Sequence, residues 1–142
     1  MLPTTINALA DLPGNELGVL STPVSFEQVE PKANSTLYAD ASREANVPRT
    51  LFVSHERSKN GNRQNSVIIL KDTYEDEDGV AGTAIAQLKL SYDKLIVPKA
   101  TVKAALDTLI ATFISDDTSN LVFSGDHSTG QIDMDRFLNE EH

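Results

Sequence analysis

Three histidines, His55, His127 and His142, and a complete lack of cysteine bound the chemistry open to this chain. Without cysteine there is no thiol nucleophile, no disulfide scaffold and no thiolate metal site. Asp126-His127-Ser128 holds the residue types of a serine triad. Adjacent side chains diverge, however, and a triad is assembled through the fold. His55 alternates with Leu51 and Val53 onto one side of the segment TLFVSHE, a setting that suits a packed or hydrogen-bonded imidazole better than a ligand. Asp76 and Asp78 hint at a calcium loop, but the twelve-residue ligand pattern with its closing Glu is absent. There is no phosphate-binding glycine loop, zinc spacing or nucleophile elbow. The carboxylates crowd into loops and the C-terminal segment, where water solvates them, whereas general acid–base work needs the opposite. The expectation is a protein with no catalytic residue, no metal site and no cofactor.

What remains is charge and shape. The 142 residues carry 12 basic and 21 acidic groups, a net charge of −9. The distribution is uneven: −4 over residues 1–42, +2 over 43–103 and −7 over 104–142. Between Arg49 and Lys71 five basic residues meet one acid, Glu56. A basic centre between acidic ends allows one surface to meet a polyanion while another stays negative. The length and a 39% hydrophobic content suit one globular domain, 1–142. No apolar run approaches the ~20 residues of a membrane span. Met1 to Ala10 has neither a basic start nor an apolar block, so a signal peptide is not expected.

The elements that must position the basic centre follow from periodicity. Residues 1–31, broken by prolines and glycines, suit a hairpin or extended arm at a sheet edge. Residues 36–97 read as antiparallel sheet. TLYADA and TLFVSHE are strands, Asn60-Gly61 is a two-residue hairpin signal, and QNSVIILK returns. Ala84 to Ile96 alternates, with Ala84, Ala86, Leu88, Leu90 and Tyr92 on one face. Asp72 to Gly82 reads as an acidic loop. From Pro98 the period changes to 3.6, and Val102, Leu106, Leu109, Ile110 and Phe113 form the stripe of an amphipathic helix. A second short helix is expected by Gly125, and 126–142 is an acidic tail. Strands followed by helices indicate an α+β fold. The polar sheet face offers Ser54, Gln64, Ser66, Gln87, Lys89 and Ser91, with Arg57, Lys59 and Arg63 at the hairpin tip. Hydroxyls, amides and basic groups suit phosphate and base edges.

The runs RTLFVSHERSKNGNRQNSVIILKD and AIAQLKLSYDKLIVPKATVKAALDTLIATFISDDTSNLVFSG resemble the coat proteins of single-stranded RNA bacteriophages, the levivirus type. Four features carry the resemblance, over roughly residues 36–125. They are the strand ending in Ser54-His55, the basic polar hairpin, the strand running into Val97-Pro98, and the helix pair before a tail. The resemblance implies an N-terminal hairpin, a five-stranded antiparallel sheet and two C-terminal helices in an intertwined dimer. Val102, Leu106, Leu109, Ile110 and Phe113 would then cover the partner's sheet. It also implies self-assembly in the bacterial cytoplasm into an icosahedral virion shell around RNA, without a membrane, and a coat dimer that grips an RNA hairpin to repress translation. The positions matching the RNA face are Ser54, Arg57, Arg63, Gln64, Ser66, Gln87 and Lys89, with Arg57 and Arg63 requiring a twist of the hairpin to reach it. A small cellular RNA- or protein-binding module with an α+β sheet is the alternative. A hydrolase using His127 or His55 is the third reading.

Overall fold

A computed structural model describes residues 3–8 and 24–111. Six strands form one antiparallel sheet in sequence order: β1 (Thr5–Ala8), β2 (Val24–Pro31), β3 (Ser35–Asp40), β4 (Arg49–Arg57), β5 (Arg63–Glu75) and β6 (Ala81–Asp93). The resemblance implied five strands with a separate N-terminal hairpin. Instead β1 and β2 continue the sheet, β2 pairing with β3 from Phe26 opposite Asp40 to Pro31 opposite Thr36. A bulge between Gln28 and Glu30 accommodates the extra residue, Val29, which is exposed. One helix, α1 (Lys99–Ala111), follows directly after Pro98, where a missing N–H leaves no helical bond unmade. The expected second helix and the acidic tail lie outside the described residues.

The chain divides into two compact units. One contains Met1–Ala8 and Val24–Pro98 and therefore the whole sheet; the other contains Leu9–Pro23 and Lys99–His142 and therefore α1. In the sheet unit, register decides which side chains share a face. Tyr38 stands opposite Leu51, Leu51 opposite Leu70, and Leu70 opposite Ala86. Phe26, Tyr38 and Val53 form the buried core, with Ile6, Val24, Leu51 and Leu70 packed against them. All seven belong to one face, which we call the apolar face. Tyr38 is fully buried, and its hydroxyl donates to the Pro3 carbonyl 2.7 Å away, fastening the chain ahead of β1 to the core. Towards β5 and β6 the apolar face opens: Ile68 is 41% exposed, and Leu88 and Leu90 are only half-buried.

Charge holds the β3–β4 connection. Arg43 and Arg49 both grip the Asp72 carboxylate, and Arg43 also donates to the carbonyls of Val47 and Thr73. Asp40, nearly out of contact with solvent, accepts from both the hydroxyl and the N–H of Ser42. The Ser42 hydroxyl bond is the main reason its carboxyl is held below the usual carboxylate value. Burial opposes this, while the Ser42 N–H and the charges of Arg49 and Arg43 reinforce it.

The acidic loop is shorter than its composition suggested. β5 runs on to Glu75 because Asp72 is neutralised by two arginines and Thr73 continues the ladder opposite Thr83. Only 76–80 turn, and Asp76 Oδ1 accepts from the N–H groups of Asp78 (3.0 Å) and Val80 (2.8 Å). Asp76 is thus a turn-forming side chain, and Gly79, at φ 78°, supplies the left-handed residue that the turn needs.

Candidate nucleic-acid interface

The opposite face of the sheet carries the exposed lysines, and it is assembled from four strands. Across β3, β4, β5 and β6 the register gives the rows Ser35, Ser54, Val67, Lys89; then Leu37, Phe52, Ile69, Gln87; then Ala39, Thr50, Lys71, Ile85. A further row holds Glu56, Asn65 and Ser91. A middle row with Leu37, Phe52 and Ile69 is therefore flanked by one exposed lysine on each side, Lys89 and Lys71. Lys71 lies four residues along β5 from the residue paired with Lys89, about 13 Å at the rise of a strand. Among the described residues neither lysine is ion-paired. A half-buried aromatic between two free ammonium groups can meet the stacked bases and charged backbone of a single strand.

The register separates the seven positions expected to contact RNA. Ser54, Arg63, Gln87 and Lys89 lie on the polar face, Arg63 without any twist of the hairpin. Arg57, Gln64 and Ser66 lie on the apolar face. Arg57 stands opposite Gln64, and Gln64 opposite Tyr92. Ser66 stands between His55 and Leu90, and its hydroxyl is 2.9 Å from His55 Nδ1. Ser54 itself is buried to 9% exposure, so it shapes the floor of the face more than it projects from it. Lys71, Thr50 and Asn65 are polar-face residues that the sequence reading did not single out. Lys71 and Asn65 share the parity of Val67 and Ile69 on β5, and Thr50 shares that of Phe52 and Ser54 on β4.

The β4–β5 hairpin at the edge of this face is tightly tied. Ser58 N–H donates to the Arg63 carbonyl, Gly61 N–H donates to the Ser58 carbonyl, and Gly61 adopts φ 74°. The loop Ser58–Asn62 thus fixes where Arg63 emerges. Beyond β6, Asp93 Oδ1 accepts from Leu95 N–H, and the Asp93 carbonyl accepts from the N–H groups of Ile96 and Val97. That turn ends β6 three residues before the expected Ile96.

Among the described residues no three His, Asp or Glu side chains converge as a metal site requires. No helix among them is long and apolar enough to cross a membrane. His127 and His142 lie outside the described residues. Along α1, Val102 and Leu106 are half-buried and Leu109 is 53% exposed; Phe113 lies beyond the described residues.

The six-stranded meander with its following helix matches solved structures. The bacteriophage EMS014 coat protein superposes with a TM-score of 0.63 at 18% identity, covering 84% of this chain and 88% of that one. This is a bacteriophage coat-protein fold. The virus-like particle of bacteriophage AVE019 gives a TM-score of 0.61 at 18% identity, covering 78% of this chain and 85% of that one. The virus-like particle of bacteriophage AC gives 0.51 at 13% identity over 62% and 85%. No protein-family model matches the chain, and no curated protein matches it in sequence. The coat-protein fold is thus retained here at a level of identity where sequence comparison alone is silent.

Proposed function

We propose that the chain is the coat protein of an RNA bacteriophage, a structural protein without catalytic activity, metal or cofactor, that dimerises and assembles into a shell around RNA in the bacterial cytoplasm. The observation that carries this reading is the coat-protein fold, with the EMS014 coat protein matched over 84% of the chain. Two features of the sheet support it. The apolar face is only partly covered over β5 and β6, and β6, thirteen residues long, is paired on one side only among the described residues. An unpaired edge with an open apolar face is an aggregation hazard in a monomer and an interface in an oligomer. We assign these features to a homodimer whose sheets meet along β6. The helix residues Val102, Leu106, Leu109, Ile110 and Phe113 of each chain contribute to covering the other's apolar face.

The polar face then meets RNA, through Lys89, Lys71, Arg63, Gln87 and the Ser54 floor. Arg57, Gln64 and Ser66, on the apolar face, are reassigned to the dimer side. A coat dimer of this kind also holds an RNA hairpin and so represses translation. A small cellular RNA- or protein-binding module remains the competing reading, and it differs in staying monomeric.

Lys89→Ala and Lys103→Ala test the face directly. Each removes one positive charge, the first from the polar face and the second from α1. Removing one phosphate contact should lower the salt slope of RNA binding by about 0.7–0.9. Purified Lys89→Ala particles should therefore carry less RNA per protein, with a shallower salt dependence in filter binding, while Lys103→Ala particles match the parent. Equal RNA in both would mean that the other face of the sheet meets the nucleic acid.

A further inference from the structure

Where β5 and β6 begin and end, three polar-face side chains form a hydrogen-bonded chain. Arg63 Nε donates to Ser91 Oγ at 2.8 Å, and Ser91 Oγ donates to Asn65 Oδ1 at 2.7 Å. With Nε engaged, the guanidinium keeps its two terminal nitrogens as an end-on fork, and Asn65 keeps its amide N–H groups. Among the described residues none of these donors has a partner. The cluster therefore presents the guanidinium fork and the Asn65 amide donors, oriented by its internal bonds.

Its neighbours decide what those donors fit. Asp93 stands opposite Arg63 in the register, and Glu56 stands opposite Asn65. Neither forms an ion pair with Arg63; Asp93 Oδ1 is turned to the Leu95 N–H at 2.9 Å. Two carboxylates beside the fork repel a phosphate's full charge far more than the partial charges of a neutral group with two acceptors. Lys89 and Lys71, by contrast, have no acid opposite them, being paired with Val67 and with Thr50 and Ile85. We propose that Arg63, positioned by Ser91 and Asn65, is a specificity-determining residue that reads the O6 and N7 acceptors of an unpaired guanine, while Lys89 and Lys71 hold the backbone. This rests on the RNA-binding reading above and adds a division of labour to it. End-on guanidinium recognition of that acceptor pair is the commonest specific contact to a base edge, and unpaired loop bases leave it accessible.

The test is selection from a pool of RNA hairpins with randomised loops, using the assembled full-length protein, followed by affinity measurement on the winners. The parent should select one loop guanosine. Replacing it by 7-deazaguanosine, which lacks the N7 acceptor, should weaken binding about tenfold, the lower part of the range for losing a bidentate base contact. Arg63→Lys keeps the charge but loses the fork, so it should bind both hairpins equally and keep its total packaged RNA. Ser91→Ala should lose the preference in the same way, and Ser91→Thr, which restores the hydroxyl, should recover it. A parent that packages RNA but selects no guanosine overturns the base-reading role alone. So does an Arg63→Lys variant that keeps the preference, or an Arg63→Ala variant whose only change is a lower salt slope, since Arg63 would then be holding a phosphate. A parent that binds no RNA overturns both this role and the RNA-binding reading.

Discussion

Leu88→Asp is expected to leave a soluble chain that forms no particles. Leu88 lies on the apolar face opposite Ile68, with Leu90 two residues further along the same strand. Within one chain it is half-buried, so a single chain tolerates a carboxylate there with little strain. In the proposed dimer the same position is covered by the second chain. An unpaired charge buried at such an interface costs several kcal/mol, enough to shift association by a few orders of magnitude at about 1.4 kcal/mol per decade. Gln87→Asp is the control. It adds the same charge one residue away, on the polar face, and should assemble normally while packaging less RNA. Gel filtration of the two variants separates the faces. If Leu88→Asp gave particles in the same yield as Gln87→Asp, the apolar face would not be an interface.

Tyr38→Ala should fail earlier, at the level of the single chain. Tyr38 is the one large side chain among the described residues that is fully buried. It packs within the Phe26 and Val53 cluster and bonds the Pro3 carbonyl. Truncating a buried aromatic to alanine typically costs about 3–5 kcal/mol, a large share of the roughly 5–15 kcal/mol that holds a domain of this size folded. The variant should accumulate as insoluble protein. Tyr38→Phe keeps the ring and gives up one hydrogen bond, a loss of about 1 kcal/mol, and should stay soluble with a modestly lower melting temperature. Soluble Tyr38→Ala protein melting within a degree or two of the parent would place the core elsewhere.

The positions of these two leucine and tyrosine side chains illustrate what a single sequence discloses. β6 alternates small or apolar residues with polar ones, so its faces could be read directly, and Leu88 and Lys89 fall on opposite sides as expected. β4 disclosed Leu51, Val53 and His55 in the same way. β5 did not. Its centre, Val67-Ile68-Ile69-Leu70, is apolar on both faces, so alternation carries no information there. Val67 and Ile69 look like core residues, yet the register places Ile68 and Leu70 beside Val53 and Leu51. Ser66 consequently belongs with His55. The observed pairing is the one that a turn centred on Asn60-Gly61 produces, with Arg57 opposite Gln64 and Ser54 opposite Val67. Carrying that turn's register through both strands would have moved Gln64 and Ser66 to the apolar face and brought out Lys71.

The acidic loop and the strand count were hidden for a different reason. Both depended on contacts distant in sequence. Asp72 reads as the start of a loop until Arg43, 29 residues earlier, and Arg49 neutralise it. β1 reads only as part of a hairpin or extended arm at a sheet edge until its ladder with β2 forms, Ile6 opposite Phe26, and Tyr38 fastens Pro3. Local propensity cannot register either effect, because both are tertiary. The helix entry, in contrast, is local, and Pro98 marked it to within a residue.

The most direct measurement of the central claim is to express the whole chain in bacteria, purify it under non-denaturing conditions, and record its particle size and nucleic-acid content together, by negative-stain microscopy and by ultraviolet absorbance with nuclease-resistant RNA extraction. Closed, uniform, shell-sized particles that contain host RNA are expected. A stable monomer free of RNA would contradict the claim.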